Sequence, residues 1–355
     1  MASKEREVFF SREEIGRHKS DGDLWVIHSG KVYDISKFSE RHPGGKDVLL
    51  LNSGQDVTSI MSNGEIHKHS QIAYGWLKKY NIGRLQAEEK KKHVIDENDL
   101  DNVCTDGWRE DLVDWSKPML AQVGNLGPNY VKWVHSPVDR PLRLFESSFV
   151  EFFSRTPWYF VPIIWIPIVL YLAYLGFYHL KTDDLAFGES DGAALLVLLA
   201  FCGLFSLGLF IWSFVEYCLH RFLFHLLPPP DKPFWITFHF FLHGQHHKVP
   251  FDGDRLVFPP VAAAVFAFAF YSFFFAILPS GTAHSLFAGG LLGYVLYDCI
   301  HYYLHHGSPR KGGYFHNLKK YHVEHHFESQ QQGFGISSQL WDFPFQTHPW
   351  KSKDS

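Results

Sequence analysis

The sequence has little cysteine, no excess of positive charge and no apolar leader segment. Its few cysteines form no CxxC pair, so neither a disulfide framework nor a cysteine-ligated zinc site is expected. They are Cys104, Cys202, Cys218 and Cys299. The net charge is -4 with histidine neutral, which excludes the basic surface that binds nucleic acid. The charged start, MASKEREVFF, lacks the apolar core of a signal peptide, so we expect none.

Histidine and aromatic residues are abundant instead. The 355 residues include 23 histidines, and aromatic residues make up 17% of the chain. A polar first third precedes a strongly apolar second half, and the length allows more than one domain. We predict three parts: a small domain at residues 5–85, a linker and membrane-surface connector at 86–156, and an integral-membrane domain at 157–350.

The first domain is predicted to be a small α+β unit. Alternating apolar residues at 25–28 and 31–35 flank Ser29-Gly30, and this pattern predicts a β-hairpin. A helix is predicted over residues 73–80. The charged run that follows, residues 88–101, predicts a solvated linker.

Apolar stretches in the second half predict an all-α membrane domain with four spans. They cover residues 161–180, 193–215, 256–278 and 286–300. About twenty apolar residues suffice to cross a bilayer core, and the last stretch is short for this. Four spans place both chain ends on one side, and lysines and arginines between spans two and three and after span four make that side cytosolic. A soluble protein with four buried helices is the alternative.

His42-Pro43-Gly44-Gly45 and two later histidines, His67 and His69, indicate a haem site in the first domain. Haem iron bound from both sides needs two imidazoles that face each other across a pocket. Proline and glycine after the first histidine let the backbone turn tightly and approach a porphyrin.

Together with the stretches at 25–35 and 54–58, this motif resembles the cytochrome b5 family over residues 7–85. The resemblance implies a b-type haem held by His42 and by His69 or His67. His69 is favoured because the family's second ligand is commonly followed by serine, as His69 is by Ser70.

Histidines in the second half cluster in four short stretches, each at or just past the predicted cytosolic end of a span. The stretches are HRFLFH (220–225), HGQHH (243–247), HYYLHH (301–306) and HVEHH (322–326). Residues three and four apart share a helix face, so each HxxHH motif is expected to aim its imidazoles at one point. His220 and His225, five apart, align less well. So many histidines without cysteine exceed one zinc shell and predict two metal ions in a cytosolic helical cap.

This arrangement resembles the integral-membrane superfamily of fatty acid hydroxylases, sterol oxidases and desaturases, over residues 216–330. In the hydroxylase branch, ten histidines hold two metal ions and form the catalytic site. The matching residues are His220, His225, His243, His246, His247, His301, His305, His322, His325 and His326. Glu216, Asp298 and Glu324 are the nearest carboxylates that could orient the imidazoles. His306 has no counterpart, and we interpret the four outlying histidines as structural; they are His239, His284, His316 and His348.

The pairing of an N-terminal b5-type domain with these motifs resembles the fatty acid 2-hydroxylases, as do connector residues 117–124 and 133–145. The resemblance implies an O2-dependent di-iron monooxygenase that hydroxylates carbon 2 of long-chain fatty acids, free or as ceramide acyl chains, for sphingolipid synthesis. The fused haem would deliver the electrons. Imidazole sites bind zinc more tightly than ferrous iron, so zinc in a purified sample would not contradict iron in the cell.

The same resemblance defines the expected partners and location. Electrons would come from NADPH through a separate cytochrome b5 reductase or NADPH-cytochrome P450 reductase, because the sequence contains no flavin or nicotinamide motif. The substrate is a fatty acid or ceramide in the bilayer. Lys351 and Lys353 resemble a di-lysine retrieval signal, which predicts a multi-pass endoplasmic reticulum protein with both termini cytosolic.

Other activities compete with this hypothesis. A b5-fused desaturase of a sphingoid base or acyl chain would share the motifs, because both reactions begin by removing a hydrogen atom. A non-catalytic membrane carrier of electrons or metal is the second alternative, and sterol oxidation is a further one.

Overall fold

The structure is a computed structural model that describes residues 8–62, 69, 71–86, 112–184 and 191–349. The chain divides into two compact units. One contains Met1–Glu110 with Ser308–His316, and the other Asp111–Gly307 with Asn317–Ser355. The predicted linker at 88–101, the alternative haem ligand His67 and the C-terminal lysines lie outside the described residues.

The first unit contains a five-stranded sheet in the order β1-β5-β4-β3-β2. The strands are β1 Phe9–Phe10, β2 Lys19–Ser20, β3 Asp23–His28, β4 Lys31–Asp34 and β5 Asn81–Leu85. The predicted hairpin is confirmed, because β3 and β4 pair antiparallel. Ser29 and Gly30 between them have φ of 49° and 72°, the left-handed conformation that a tight hairpin turn requires.

Short helices cover this sheet. They are α1 Arg12–Ile15, a 3-10 helix Ser36–Arg41, α2 Lys46–Asn52, α3 Thr58–Ser62 and α4 Gln71–Lys79. Leu24 and Val26 of β3 point into a core shared with Leu77 of α4, while Ile27 packs with Ile15 on the opposite side. Strand β3 is therefore buried on both faces. The helix predicted over residues 73–80 corresponds to α4.

The second unit is helical. Its α-helices are α5 Tyr130–Val134, α6 Ser148–Phe153, α7 Phe160–His179, α8 Asp191–Cys218, α9 Pro233–His239, α10 Gln245–Lys248, α11 Pro260–Ile277, α12 Ser280–His306 and α13 Tyr314–Phe327. Among the residues that the structure describes, three helical segments are long and apolar enough to cross a membrane: Phe160–Asp183, Gly192–Phe224 and Gly253–Ile277. They correspond to the first three predicted spans. The fold is thus a small α+β domain with a helical membrane domain.

The fourth predicted span, residues 286–300, lies within α12, which is longer than its apolar stretch predicted. The helix has 27 residues, or about 40 Å at 1.5 Å per residue. It packs against α7 and α8 and buries the polar residues His284, Ser285 and Asp298. Because neighbouring helices cover it, α12 needs no continuous apolar surface, and this explains why hydropathy alone underestimates its length.

The backbones of α8 and α12 touch where they cross. A Cβ added at Gly208 would lie 2.0 Å from the carbonyl oxygen of Leu286, and one added at Gly289 would lie 2.0 Å from that of Phe205. Only glycine permits such close approach of two helices. This crossing fixes how α8 and α12 diverge on either side of it.

The connector before the first long helix contains a short helix, α6, with one aromatic and one polar face. On α6, Phe149 and Phe152 are each 73% exposed. The opposite face carries Glu151, which accepts hydrogen bonds from the backbone N–H groups of Leu144 and Phe145 at 2.9 Å. Glu151 also pairs with the buried guanidinium of Arg255. The exposed aromatic face supports the predicted position on the membrane surface, which stays a prediction.

Candidate functional site

The ten histidines predicted as metal ligands come together as two groups of five, and all are buried. The first cluster contains His220, His225, His243, His247 and His325. The second cluster contains His246, His301, His305, His322 and His326. Within each cluster the candidate ligand atoms lie within 4.8 Å of one another. Four separate stretches of sequence thus meet at two neighbouring points.

The prediction that each HxxHH motif aims at a single point is wrong. The residues four apart stay together: His243 and His247 join the first cluster, as His322 and His326 join the second. The histidine between them turns to the other cluster. Adjacent residues of a helix point about 100° apart, so one motif can serve two points on either side of its helix. His301 and His305, four apart on α12, share the second cluster as predicted.

A π-helical turn explains the unusual spacing of His220 and His225. The segment Leu219–Phe224 continues α8 as a π-helix, and the N–H of His225 donates to the carbonyl of His220 at 3.0 Å. In a π-helix residues five apart lie above one another, as residues four apart do in an α-helix. The two imidazoles therefore align, and their Nε2 atoms are 3.2 Å apart. A second π-helix, Phe240–Gly244, contains His243.

Neighbouring Nε2 atoms within the clusters are 2.9–3.2 Å apart. Imidazole–metal bonds of about 2.1 Å at right angles put ligand nitrogens about 3.0 Å apart. The Nδ1 of His220 and that of His325 donate to backbone carbonyls, so their Nε2 atoms present lone pairs to the cluster centre. Converging lone pairs repel unless a cation lies between them. The donor set therefore fits one metal ion in each cluster.

Burial keeps these imidazoles neutral. Removal from water, reinforced by the neighbouring imidazoles, lowers the pKa of His243, His246 and His322 well below its usual range. The same causes act on His326. Neutral imidazole is the form that binds a metal ion, so the ligands are prepared at neutral pH without losing a proton.

A loop after α13 orients two ligands of the first cluster. His220 Nδ1 donates to the Phe334 carbonyl and His325 Nδ1 to the Gln332 carbonyl, both at 2.6 Å. Two buried carboxylates hold this loop. Asp342 accepts from the N–H groups of Phe334 and Gly335 at 2.9 and 2.8 Å. Sequence reasoning missed the loop, because backbone carbonyls leave no residue signature.

Glu216 is predicted to orient an imidazole directly. Instead it binds the loop whose carbonyls orient His220 and His325. Its carboxylate accepts from the N–H groups of Ile336 and Ser337 at 2.9 and 2.7 Å. Asp298, predicted for the same role, accepts from the N–H of Phe258 at 3.3 Å. Among the described residues, no hydrogen bond joins Glu216 or Asp298 to an imidazole, so the predicted direct contact is wrong for both. Backbone N–H groups of the loop and of the segment before α11 bind these carboxylates instead.

The connector packs against the ligand helix α10. The buried Lys248 donates from Nζ to the carbonyls of Trp133 and Ser136, at 2.9 and 2.6 Å. A Cβ on Gly244 would lie 2.5 Å from the hydroxyl of Tyr130, which explains the glycine in HGQHH. The ring of His135 lies 5.5 Å from that of the ligand His247. The connector is thus part of the wall around the first cluster.

The remaining histidines belong to neither cluster, in agreement with their interpretation as structural. His239 Nδ1 is 2.6 Å from the Tyr130 hydroxyl, and His284 Nδ1 donates to the carbonyl of Ser280 at 2.7 Å. His348 Nε2 is 3.3 Å from Gln339. His306, which had no counterpart in the resemblance, and His316 also lie outside the two groups.

In the first unit, His42 and His69 face each other with ring centres 6.3 Å apart. His42 Nδ1 donates to the carbonyl of Gly45 at 3.0 Å, and His69 Nδ1 to that of Met61 at 3.3 Å. Two imidazole–metal bonds of about 2 Å each fit in this gap. A Cβ on Gly44 would lie 2.8 Å from the His42 ring, and Gly45 has φ of 90°. Both glycines of the motif are therefore required, and the pair fits a haem iron.

Comparisons with known proteins match both parts of the chain. The profile of the cytochrome b5-like heme/steroid binding domain matches residues 11–86, and that of the fatty acid hydroxylases matches residues 205–347. The fatty acid 2-hydroxylase of Rattus norvegicus is 48% identical over 355 residues, covering 95% of this chain and 94% of that protein. The chain belongs to the fatty acid 2-hydroxylase family.

Further relatives of this family extend to fungi. The human fatty acid 2-hydroxylase is 46% identical over 95% of this chain and 94% of its own length. The ceramide very long chain fatty acid hydroxylase of Saccharomyces cerevisiae is 34% identical, covering 96% of this chain and 94% of that protein. A solved structure titled full length scs7p, with only the hydroxylase domain visible, is 36% identical and has a TM-score of 0.58, covering 69% of this chain and 88% of that one. All are named hydroxylases, so the desaturase and carrier alternatives are not favoured.

As a fatty acid 2-hydroxylase family member, the chain is an oxidoreductase, and its helical domain contains an apolar cavity beside the histidine clusters. The cavity has a volume of about 280 Å³ and lies between α8, α11 and α12. Aromatic and aliphatic side chains form nearly all of its wall. Such a lining suits a hydrocarbon chain and not a sugar or a nucleotide.

Proposed function

We propose that the chain inserts one oxygen atom at carbon 2 of long acyl chains, free or within ceramide, at two iron ions held by the first and second clusters. The convergence of ten buried, neutral imidazoles into two five-ligand groups carries this proposal. His42 and His69 hold a b-type haem. When bound, the iron ions supply dioxygen activation and the haem supplies single electrons.

The chain's own residues supply positioning and exclusion of water. The loop that contains Gln332 and Phe334 keeps two imidazoles in the tautomer that presents Nε2 to the metal. Lys248 holds α10 against the connector. All ten ligands are buried, and the apolar cavity beside them receives the acyl chain.

The domain boundaries and topology belong to the same proposal. We assign residues 5–85 to the haem domain, 86–156 to the linker and connector, and 157–350 to the membrane hydroxylase domain. A fourth span within α12 joins the three apolar helices, and the histidine clusters form a cytosolic cap. The chain is then a multi-pass protein of the endoplasmic reticulum with both termini in the cytosol. Positive residues on that side support this orientation.

Electrons reach the haem from NADPH through a separate cytochrome b5 reductase or NADPH-cytochrome P450 reductase. The sequence contains no flavin or nicotinamide motif of its own. Iron is proposed in the cell on chemical grounds, since zinc is redox-inactive and cannot activate dioxygen.

The deciding experiment is a mass-spectrometric lipid profile of yeast that lacks its own 2-hydroxylase, with and without this chain. We expect one added oxygen at carbon 2 of sphingolipid acyl chains. His42→Ala should remove the b-type Soret band and stop product formation, while metal bound at the clusters stays unchanged. A product with two hydrogens fewer would overturn hydroxylation in favour of desaturation. Full activity without the Soret band would show that the fused haem domain is not the electron donor.

A further inference from the structure

The apolar cavity borders both histidine clusters, because two of its wall residues stack on metal-ligand candidates. Phe224 lines it and stacks on the ligand His243, with ring centres 5.0 Å apart and planes within 17°. Tyr297 lines it and stacks on the ligand His301, with ring centres 5.9 Å apart. One wall of the cavity is therefore in direct contact with a ligand of each cluster.

From this end the cavity extends along α12. Its lining includes Tyr297, Gly290 and Leu286. At 1.5 Å per helical residue, Gly290 lies about 16 Å and Leu286 about 22 Å from His301 along the helix axis. One leaflet of a bilayer core measures about 15 Å. The lining on α12 runs from Tyr297 to Leu286, about 16 Å, so the cavity has room for the distal part of a long acyl chain that begins beside the clusters.

Two features bound the far end of the cavity. The backbones of α8 and α12 touch at Gly208 and Leu286, where an added Cβ would meet a carbonyl oxygen at 2.0 Å. Beside this crossing, Phe274 of α11 and Phe287 of α12 meet edge to face, with ring centres 6.4 Å apart. All four residues line the cavity. The two helix backbones cannot move apart without breaking their packing, whereas aromatic rings can rotate. The depth of the cavity therefore depends on the rings of Phe274 and Phe287.

We infer that the far end of the cavity determines the chain-length preference of the enzyme: Phe274, with Phe287, limits the length of the acyl chain that is hydroxylated. The inference rests on the proposed placement of the oxidising centre at the histidine clusters. Carbon 2 lies beside the clusters, and the methyl end of the substrate reaches the Phe274–Phe287 pair. Chains longer than the cavity must displace these rings, which disfavours them.

Gly290 offers a position at which the cavity can be shortened. It lines the cavity one helical turn from Leu286, on the side nearer the clusters. A Cβ built on Gly290 has one neighbour within 4 Å, the carbonyl oxygen of Gly208, at 3.6 Å. A Cβ at this position therefore makes only an ordinary van der Waals contact. It would occupy space that the distal part of a long acyl chain needs.

The first test is Gly290→Leu, compared with Gly203→Leu on α8. A Cβ at Gly203 meets nothing within 4 Å, and Gly203 does not line the cavity. Both variants are expressed at full length in yeast lacking its own 2-hydroxylase. We expect Gly290→Leu to lower the ratio of very-long-chain to long-chain 2-hydroxy products about tenfold, the discrimination typical of small volume changes in an apolar pocket. Gly203→Leu should keep the original ratio.

The opposite test is Phe274→Ala, compared with Phe268→Ala on the same helix. Phe268 is 72% exposed and lies outside the cavity. Opening the far end of the cavity should raise the share of very-long-chain products several-fold, and the Phe268 variant should not. Phe274 is only partly buried, so this truncation removes less core packing than the same change at Phe287.

The outcomes separate this inference from the proposed function. Opposite shifts in Gly290→Leu and Phe274→Ala, with neither control shifted, would support the inference. Normal amounts of 2-hydroxylated lipid with an unchanged chain-length ratio in both variants would overturn it and leave the proposed function intact. If the unmodified chain makes no 2-hydroxylated lipid, the proposed function itself fails.

Discussion

The first and second clusters each contain five imidazoles but differ in how these are held. In the first cluster, His220 and His325 donate from Nδ1 to carbonyls of one loop, both at 2.6 Å. In the second cluster, the Nδ1 atoms of His246, His322 and His326 are buried and have no hydrogen-bond partner among the residues that the structure describes. The first cluster contains one such atom, in His247.

The difference indicates that the imidazoles of the first cluster are better oriented for metal binding than those of the second. A hydrogen bond to Nδ1 fixes the tautomer, holds the ring in place and makes Nε2 more basic. The first cluster has this support from a loop that two carboxylates anchor. The rings of the second cluster are positioned mainly by packing between α10, α12 and α13. We therefore expect the first cluster to hold its ion more tightly.

Removal of one ligand from either cluster has the largest expected effect. His325→Ala opens the first cluster, and His322→Ala opens the second, where His322 Nε2 lies 2.9–3.1 Å from those of its neighbours. Each variant should lose one of about two bound ions and form less than about 1% of the product, a greater loss than removal of an outer hydrogen-bond partner causes. Metal analysis of the purified chain and lipid profiling measure these effects.

His316→Ala is the matched control, since His316 lies on α13 and belongs to neither cluster. It should keep both ions and full product. Loss of both ions from either single variant would show that the clusters bind cooperatively, and the comparison between them would then fail.

The ten clustered histidines could be selected from the sequence because imidazoles at helical spacing in four stretches are a strong chemical signal. Which histidine belongs to which of the two clusters could not be predicted from the sequence. This division depends on the direction of each ring around its helix, and for His220 and His225 on a π-helical turn that no residue type specifies. That all ten bind metal stays a prediction.

The fold shows a similar limit. The hairpin around Ser29-Gly30 and the first three apolar helices follow from local patterns, because turn chemistry and hydropathy act over a few residues. The true length of α12 and the role of the loop at Phe334 follow from contacts between distant segments. Glu216 illustrates this, because its partners Ile336 and Ser337 are more than a hundred residues away.

A change in the anchored loop should affect the first cluster alone. Asp342→Asn replaces one acceptor oxygen by an N–H donor, so Asp342 can no longer accept from both Phe334 and Gly335. The loop then presents its carbonyls to His220 and His325 less well. We expect the first cluster to bind metal about 10–100-fold more weakly, as is usual when an outer hydrogen-bond partner is lost. Competition with a chelator, followed as the stepwise loss of two ions, measures the metal affinity of each cluster.

Asp231→Asn, at a position whose side chain is 71% exposed, serves as the control and should leave both steps unchanged. Equal weakening of both steps by Asp342→Asn would contradict the assignment of the loop to the first cluster. The second cluster would then depend on the same anchor through the helix α13.

The smallest effect is expected where a hydrogen bond supports the surrounding wall but no ligand. Tyr130→Phe removes the hydroxyl 2.6 Å from His239 Nδ1. Burial raises the pKa of Tyr130 well above its usual range and lowers that of His239 to about 4, so the bond joins two neutral groups. Its loss should lower the free energy of unfolding by about 1 kcal/mol, equally at all pH values near neutrality.

Tyr171→Phe, at a residue that is 61% exposed on α7, should leave thermal unfolding in detergent unchanged. Since neither tyrosine contacts a ligand, both variants should retain two ions with the stepwise affinities of the unmodified chain. A selective loss from the first cluster in Tyr130→Phe would mean that the connector reaches it through α10. The inequality between the clusters would then originate in two supports, the loop at Phe334 and the connector at Tyr130.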